Sequence, residues 1–244
     1  MERAKLLESI SNTVSDYQIG AKPAPEHVNK WVNQFKSDEQ IPLLREMDHV
    51  LKSTYFSKSN VTEFLEDRLT DSELTSANPY EFWKNANFLN IQKNGNSQHE
   101  MLKIFDECLK RKFSININAC GSPAGDFIYL DDVIFSGYRV INDLKTWVEN
   151  DAPAKAVARV IATIIHANGK WQIGNQLNKA IKASGKKIVI KYHSKKTIDN
   201  RKQYKRGVLW PTILPDDPNL LKYLKSLSKY PFEPSVVSHK SLDI

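Results

Sequence analysis

The ten residues 157–166, VARVIATIIH, constrain the fold more than any other stretch of this chain. β-Branched side chains dominate the run, and Arg159 is its one Lys, Arg, Asp or Glu. Such a run suits a strand covered on both faces, the condition of inner strands in a parallel sheet. Shorter runs repeat the theme: ANFLNIQ at 86–92, FSININAC at 113–120, DFIYL at 126–130 and KKIVIKYH at 186–193. Helical periodicities lie between them. Met101, Ile104, Phe105 and Cys108 share one face of a helix that Ser97 is placed to cap. Ile141, Leu144 and Val148 point inward over 138–149, and Ile173, Leu177, Ala180 and Ile181 precede Gly185. Strands alternating with helices of about 10–15 residues predict βαβ units. The expected core, residues 81–206, is α/β, with a mostly parallel sheet flanked by helices.

Residues 1–80 have another texture. AKPAP at 21–25 leads to three amphipathic stripes. They are Val28, Trp31, Val32 and Phe35; Ile41, Leu44 and Leu51, with Asp38 placed as a cap; and Val61, Phe64, Leu65 and Leu69, beginning near Ser59 and Asn60. Short helices cannot each bury a face alone, so the three stripes are expected to pack together as a small helical domain of winged-helix type. Asn78-Pro79 is the expected joint. The tail, 207–244, holds five of the eleven prolines and a helical stretch near Leu220–Leu227, and reads as a lid or packing segment.

Charge divides the chain unevenly. The net charge is +7, yet residues 170–206 hold twelve Lys or Arg against Asp199 alone, a local +11 that leaves −4 elsewhere. A basic block attracts phosphates, so contact with RNA or DNA is one reading and a solvated lysine-rich face the other. Residues 1–92 hold ten basic and fourteen acidic side chains, which opposes duplex binding and favours a protein partner. Trp31, Tyr55 and Phe56 are the candidate docking aromatics. Two cysteines, Cys108 and Cys120, exclude a disulfide framework and a Cys-rich zinc site. No apolar run approaches the ~18 residues of a membrane helix. The N-terminus lacks a signal-peptide core, so a cytoplasmic protein with no membrane partner is expected. No GxSxG, Walker A or HExxH pattern occurs, and the histidines lack metal-ligand spacing.

The stretch that carries chemistry is 128–139, IYLDDVIFSGYR. A buried strand ends in two carboxylates, a turn with Ser136 and Gly137 follows, and a helix begins. Ligands of open α/β sheets collect at the carboxyl ends of strands. Free amides of a turn and helix start suit a phosphate, and glycine admits its close approach. Carboxylates beside a phosphate cradle need hydroxyl donors or a cation. A ribose 5-phosphate suits both parts, its hydroxyls on the carboxylates and its phosphate in the turn.

This pattern resembles the ribose-phosphate signature of type I phosphoribosyltransferases. The resemblance implies that Asp131 and Asp132 are the catalytic pair on the ribose hydroxyls. It implies that Ile134, Phe135, Ser136, Gly137 and Tyr138 hold the 5-phosphate, with Arg139 in contact or on the helix surface. It assigns pyrophosphate to Lys93, Asn94, Gly95, Asn96 and Ser97, and places His166 and Lys170 on the base side. Mg2+ is implied only through the diphosphate of the ligand, with no direct metal ligand in the protein. The family's long loop between two core strands is here reduced to ACGSPAGD, 119–126. Without that closure, hydrolysis, another acceptor or binding without turnover gain weight over base transfer.

A small helical domain joined to such a core is similar to effectors of bacterial anti-phage systems, some encoded beside retron reverse transcriptases. The expectation is an enzyme acting on phosphoribosyl diphosphate or a nucleotide, held by a protein partner such as a retron reverse transcriptase complex. The alternative is a non-catalytic nucleotide-sensing or nucleic-acid-binding module.

Overall fold

A computed structural model describes residues 1–17, 23–75, 77–93, 95–199 and 216–226. Among these residues six helices precede the first strand: α1 (Glu2–Thr13), α2 (Pro25–Val32), α3 (Ser37–Thr54), α4 (Lys58–Leu69), the single turn α5 (Ser72–Thr75) and α6 (Pro79–Asn85). Then come β1 (Asn87–Phe88), α7 (Ser97–Phe113), β2 (Phe127–Ile134), α8 (Tyr138–Asn150), β3 (Lys155–His166), α9 (Ala167–Ser184), β4 (Lys187–Ile198) and α10 (Pro218–Ser226). The strands form one sheet in the order β1-β2-β3-β4, and every pair is parallel.

Alternate side chains of the strands feed two cores, as the strand period of two requires. Tyr129, Ala158, Val160 and Ala162 pack against Val140, Leu144 and Trp147 of α8 and Ile173 and Leu177 of α9. Ile128, Leu130 and Ile161 pack on the other face against α7 and the helices before the sheet. Arg159 is 8% exposed and bonded to Asp126 at 2.6 Å, with its guanidinium 5.3 Å from the centre of the Phe82 ring. That ion pair makes a charge tolerable in an otherwise apolar run. Burial, with the charge of Arg159, pushes neighbouring His193 down to about 4.

The third stripe does not pack with the first two. Leu7, Ile10, Val28, Val32 and Leu44 make a small core of α1, α2 and α3. Phe64, Leu65 and Leu69 of α4 instead join Trp83, Phe105 and Leu109 under the sheet. The stripe is satisfied by any apolar partner, and the sheet offers a wider one. Caps also differ. Lys36 precedes α3, and Glu39 accepts from its backbone N–H at 3.3 Å, while Asp38 lies inside the first turn. α4 starts from Ser57, which exchanges bonds with Asn60 at 3.1 Å each way.

FSININAC is not a strand. α7 runs through Phe113 and stops at Ser114, whose φ is 58°. Asn116 then spends its side chain on the Ala119 amide at 3.1 Å, and Asp106 takes the Ile117 amide at 2.8 Å. Local bonds of this kind compete with a ladder, and Ile115 and Ile117 pack half-buried without one against the lower core, the one on the α7 face of the sheet. ANFLNIQ pairs over only two residues. Of the tail, α10 lies within the described residues, whereas Leu227 and the rest of 227–244 lie outside them.

Candidate functional site

α7 covers one face of the sheet and α8 the other, although they follow adjacent strands. A crevice therefore opens between the carboxyl ends of β1 and β2, the position where open α/β sheets take ligands. The acid pair stands there, inside β2 rather than beyond its end. Asp131 is 2% exposed and Asp132 is open to solvent.

Ser97 is the first residue of α7, not its cap; Asn96 precedes it without a side-chain cap bond. The Ser97 hydroxyl donates to Asp131 at 2.8 Å and accepts from an Arg139 guanidinium N–H at 2.9 Å and from the Gln92 side-chain Nε2 at 3.2 Å. That hydroxyl has one proton and two lone pairs, and all are used. Burial raises the Asp131 carboxyl to about 6; Ser97 opposes the shift and the charge of Asp132 adds to it.

The 93–97 loop is held from beneath. Gln98 is fully buried, and its side-chain oxygen accepts from the amides of Ile91 and Gln92 at 2.8 and 2.9 Å. The Gln92 oxygen accepts in return from the Gln98 amide at 3.1 Å. Within this clasp Gly95 takes φ 94°, and a Cβ there would stand 3.4 Å from the Arg139 guanidinium carbon. Asn94 lies outside the described residues.

The 134–139 turn is fixed by close approach to α9. Gly137 has φ 76° and caps α8, and a Cβ on it would lie 2.6 Å from Ile173. A Cβ on Gly169 would lie 2.0 Å from the Phe135 carbonyl oxygen. The Tyr138 amide donates to the Ser136 hydroxyl at 3.3 Å. Ile134 is buried, whereas Phe135 and Tyr138 are 63% and 71% exposed. A cleft of about 440 Å3 runs over Asp131–Val140. It adjoins another of about 480 Å3 whose walls include Lys93, Arg139, Asn142 and Asp143.

Asp143 and Tyr129 escaped the sequence reading. The Tyr129 hydroxyl donates to Asp143 at 2.8 Å, and both are buried. Burial raises the Asp143 carboxyl, against the Tyr129 hydroxyl, the Lys93 backbone amide and the charges of Arg139 and Lys93. One signal existed: Asp143 falls on the inward face of α8 beside Leu144 and Trp147. The Gln92–Gln98 clasp left no such signal.

The other expected residues stand on β3, α9, β4 and the segments before the sheet. His166 caps α9, its Nδ1 accepting from the Asn168 amide at 3.2 Å. The Lys170 ammonium lies 5.2 Å from the centre of the Tyr192 ring, on β4. The basic segment is described only as far as residue 199; its Lys195 is 3.8 Å from Glu63. Trp31 lines an apolar cleft of about 520 Å3 with Met47 and Leu51. Tyr55 donates to Asp16 at 2.6 Å, and Phe56 is half-buried. Among the described residues no helix is long and apolar enough to cross a membrane.

Among the described residues no three His, Cys, Asp or Glu converge on one point. Asp131 gives one oxygen to Ser97 and to the Asp132 amide.

No curated protein and no solved structure matches the chain in the comparisons made. A family model does match, over residues 28–240, from within α2 through the whole sheet and its flanking helices. With that match spanning most of its length, the chain belongs to the PRTase-CE family of phosphoribosyltransferase-like proteins.

Proposed function

We propose that the protein binds phosphoribosyl diphosphate or a nucleotide and acts at the anomeric carbon of its ribose. The observation that carries this reading is the chain Asp131–Ser97–Arg139, which ties the acid pair to the anion loop through one hydroxyl. Asp131 and Asp132 accept the ribose hydroxyls and stabilise positive charge as the bond to the leaving group breaks. The amides of the 134–138 turn and the Ser136 hydroxyl hold the 5-phosphate. Lys93, Arg139 and the start of α7 receive the diphosphate. An unrestrained enzyme of this kind would deplete its own cell. Control by a protein partner, in an anti-phage setting such as a retron reverse transcriptase complex, completes the proposal.

The reading is tested by calorimetric titration with phosphoribosyl diphosphate and by release of pyrophosphate or free base from a nucleotide panel. Replacing Asp131 and Asp132 together by Asn should lower affinity by about tenfold or more while the fold persists. Unchanged affinity in that double variant rejects the assignment.

One observation favours a second reading, binding without turnover. The segment between α7 and β2 holds a short 3-10 turn, Ile117–Ala119, and no covering hairpin. In that case the exposed lysines of β4, Lys191, Lys195 and Lys196, serve nucleic acid. Affinity would then fall steeply with salt, and each lysine removed would lower the slope by about 0.7–0.9.

A further inference from the structure

Ser97 stands among Asp131, Arg139 and Gln92, and its hydroxyl has a single proton to give. Asp131, once ionised, can only accept, and the Arg139 guanidinium can only donate. Gln92 is the partner able to do either, because a side-chain amide carries an oxygen at one corner and an NH2 group at the other. The clasp with Gln98 decides its role. The Gln98 backbone N–H donates to the Gln92 oxygen at 3.1 Å, which turns the Gln92 Nε2 toward Ser97 at 3.2 Å. The Gln98 side chain is set in the same way. Its oxygen faces the Ile91 and Gln92 amides, and among the described residues its Nε2 is buried without a partner. Backbone donors therefore orient both side-chain amides, and the Ser97 hydroxyl meets two donors and one acceptor. A reversed Gln92 would present a second acceptor, and Asp131 would have to share the proton.

We propose that Gln92 is a positioning residue for the acid pair: it directs the Ser97 proton onto Asp131 and so favours the carboxylate that accepts a ribose hydroxyl. The inference rests on the reading that Asp131 takes such a hydroxyl, and it adds how the chain supports a carboxylate so deeply buried. The charged and titratable groups around Asp131 are Asp132, Tyr129 and, beyond Ser97, Arg139. The bonds it receives from Ser97 and from the Asp132 backbone N–H, at 2.8 and 3.0 Å, fall on the same oxygen, Oδ1. Loss of the Ser97 proton would leave that oxygen with the Asp132 N–H alone, beside a second carboxylate.

The test follows the Asp131 carboxyl by carbon-13 NMR in the full chain from about pH 4 to about pH 8, its signal identified by its loss in Asp131→Asn. Gln92→Glu keeps an oxygen for the Gln98 amide and turns a second acceptor toward Ser97. Proton affinity at Asp131 should rise about threefold or more beyond the rise that Gln92→Glu causes in a Ser97→Ala background, where the added charge acts without the hydroxyl. Gln92→Met removes the donor and supplies no acceptor, so proton affinity should stay within about twofold. Affinity for ribose 5-phosphate, measured calorimetrically at about pH 6, should fall about threefold or more in Gln92→Glu. Equal rises in the two backgrounds overturn the inference, because charge alone then accounts for them. A rise in Gln92→Met as large as in Gln92→Glu overturns it too, and marks Gln92 as a prop for the loop. If the unaltered chain does not bind ribose 5-phosphate while the coupling through Ser97 holds, the ligand reading fails and the steering by Gln92 stands.

Discussion

The Tyr129 hydroxyl and the Asp143 carboxylate meet at 2.8 Å between β2 and α8, and Tyr129 stands two residues before Asp131 on the same strand. β2 and α8 are thereby joined by a polar bond where their neighbours join by apolar contact. Tyr129→Phe leaves Asp143 buried without its hydroxyl donor, at a cost of about 1–3 kcal/mol. Denaturant unfolding should show that loss, and a change below about 0.5 kcal/mol would mean that water replaces the bond.

The Asp131 carboxyl, raised by burial from 3.8 to about 6, predicts opposite pH trends for folding and for binding. Between those values the native chain holds a proton that the unfolded chain has released, so stability falls as pH rises and levels off above about 6. Ligand hydroxyls need the ionised form, so affinity should rise over the same interval. Melting curves and titrations across that range would check both trends. Asp131→Asn should flatten the stability trend; an unchanged slope in the variant would assign it to another group.

Glycines of α9 give a matched pair of substitutions. Gly169→Ala drives a methyl against the Phe135 carbonyl and should cost about 1–3 kcal/mol while displacing the 134–139 turn. Gly174→Ala meets nothing within 4 Å and should stabilise by about 0.5–1 kcal/mol. Thermal denaturation of the two variants side by side is decisive, because helix propensity acts alike in both.

Truncation should respect packing rather than texture. Removing residues 1–56 takes away α1–α3 with their own core, and the sheet should stay folded. Removing residues 1–75 also takes Phe64, Leu65, Leu69 and Leu74 from the lower core. At about 1.5–3 kcal/mol each, those side chains approach the whole stability of a typical domain. The shorter product should lose cooperative unfolding, and two equally folded products would refute this division.

Local pattern revealed what local pattern determines. The β-branched run at 157–166, the helix closed by Gly185 and the acid pair before Ser136 and Gly137 each carry their structure in consecutive residues. Long-range choices were hidden. The α4 stripe reads the same whether it meets α2 or α7. Ile115 and Ile117 alternate like a strand, yet Asn116 and Asp106 divert their backbone. Arg139 was expected at the 5-phosphate turn or on the surface. Its guanidinium lies on the opposite loop because a long side chain at the start of α8 spans the crevice to Ser97.

β1 pairs with β2 through only Asn87 and Phe88, whereas β2, β3 and β4 share long ladders. The two walls of the crevice therefore differ in how readily they open. Amides on the 91–98 side depend on a short pairing and a glutamine clasp and should exchange with solvent through local fraying. Those behind Asp131 belong to the sheet and should exchange only when it unfolds. The crevice is thus hinged on one side, and on the function proposed above adjustment to ligands of different size would fall to the loop side while the β2 side keeps its shape.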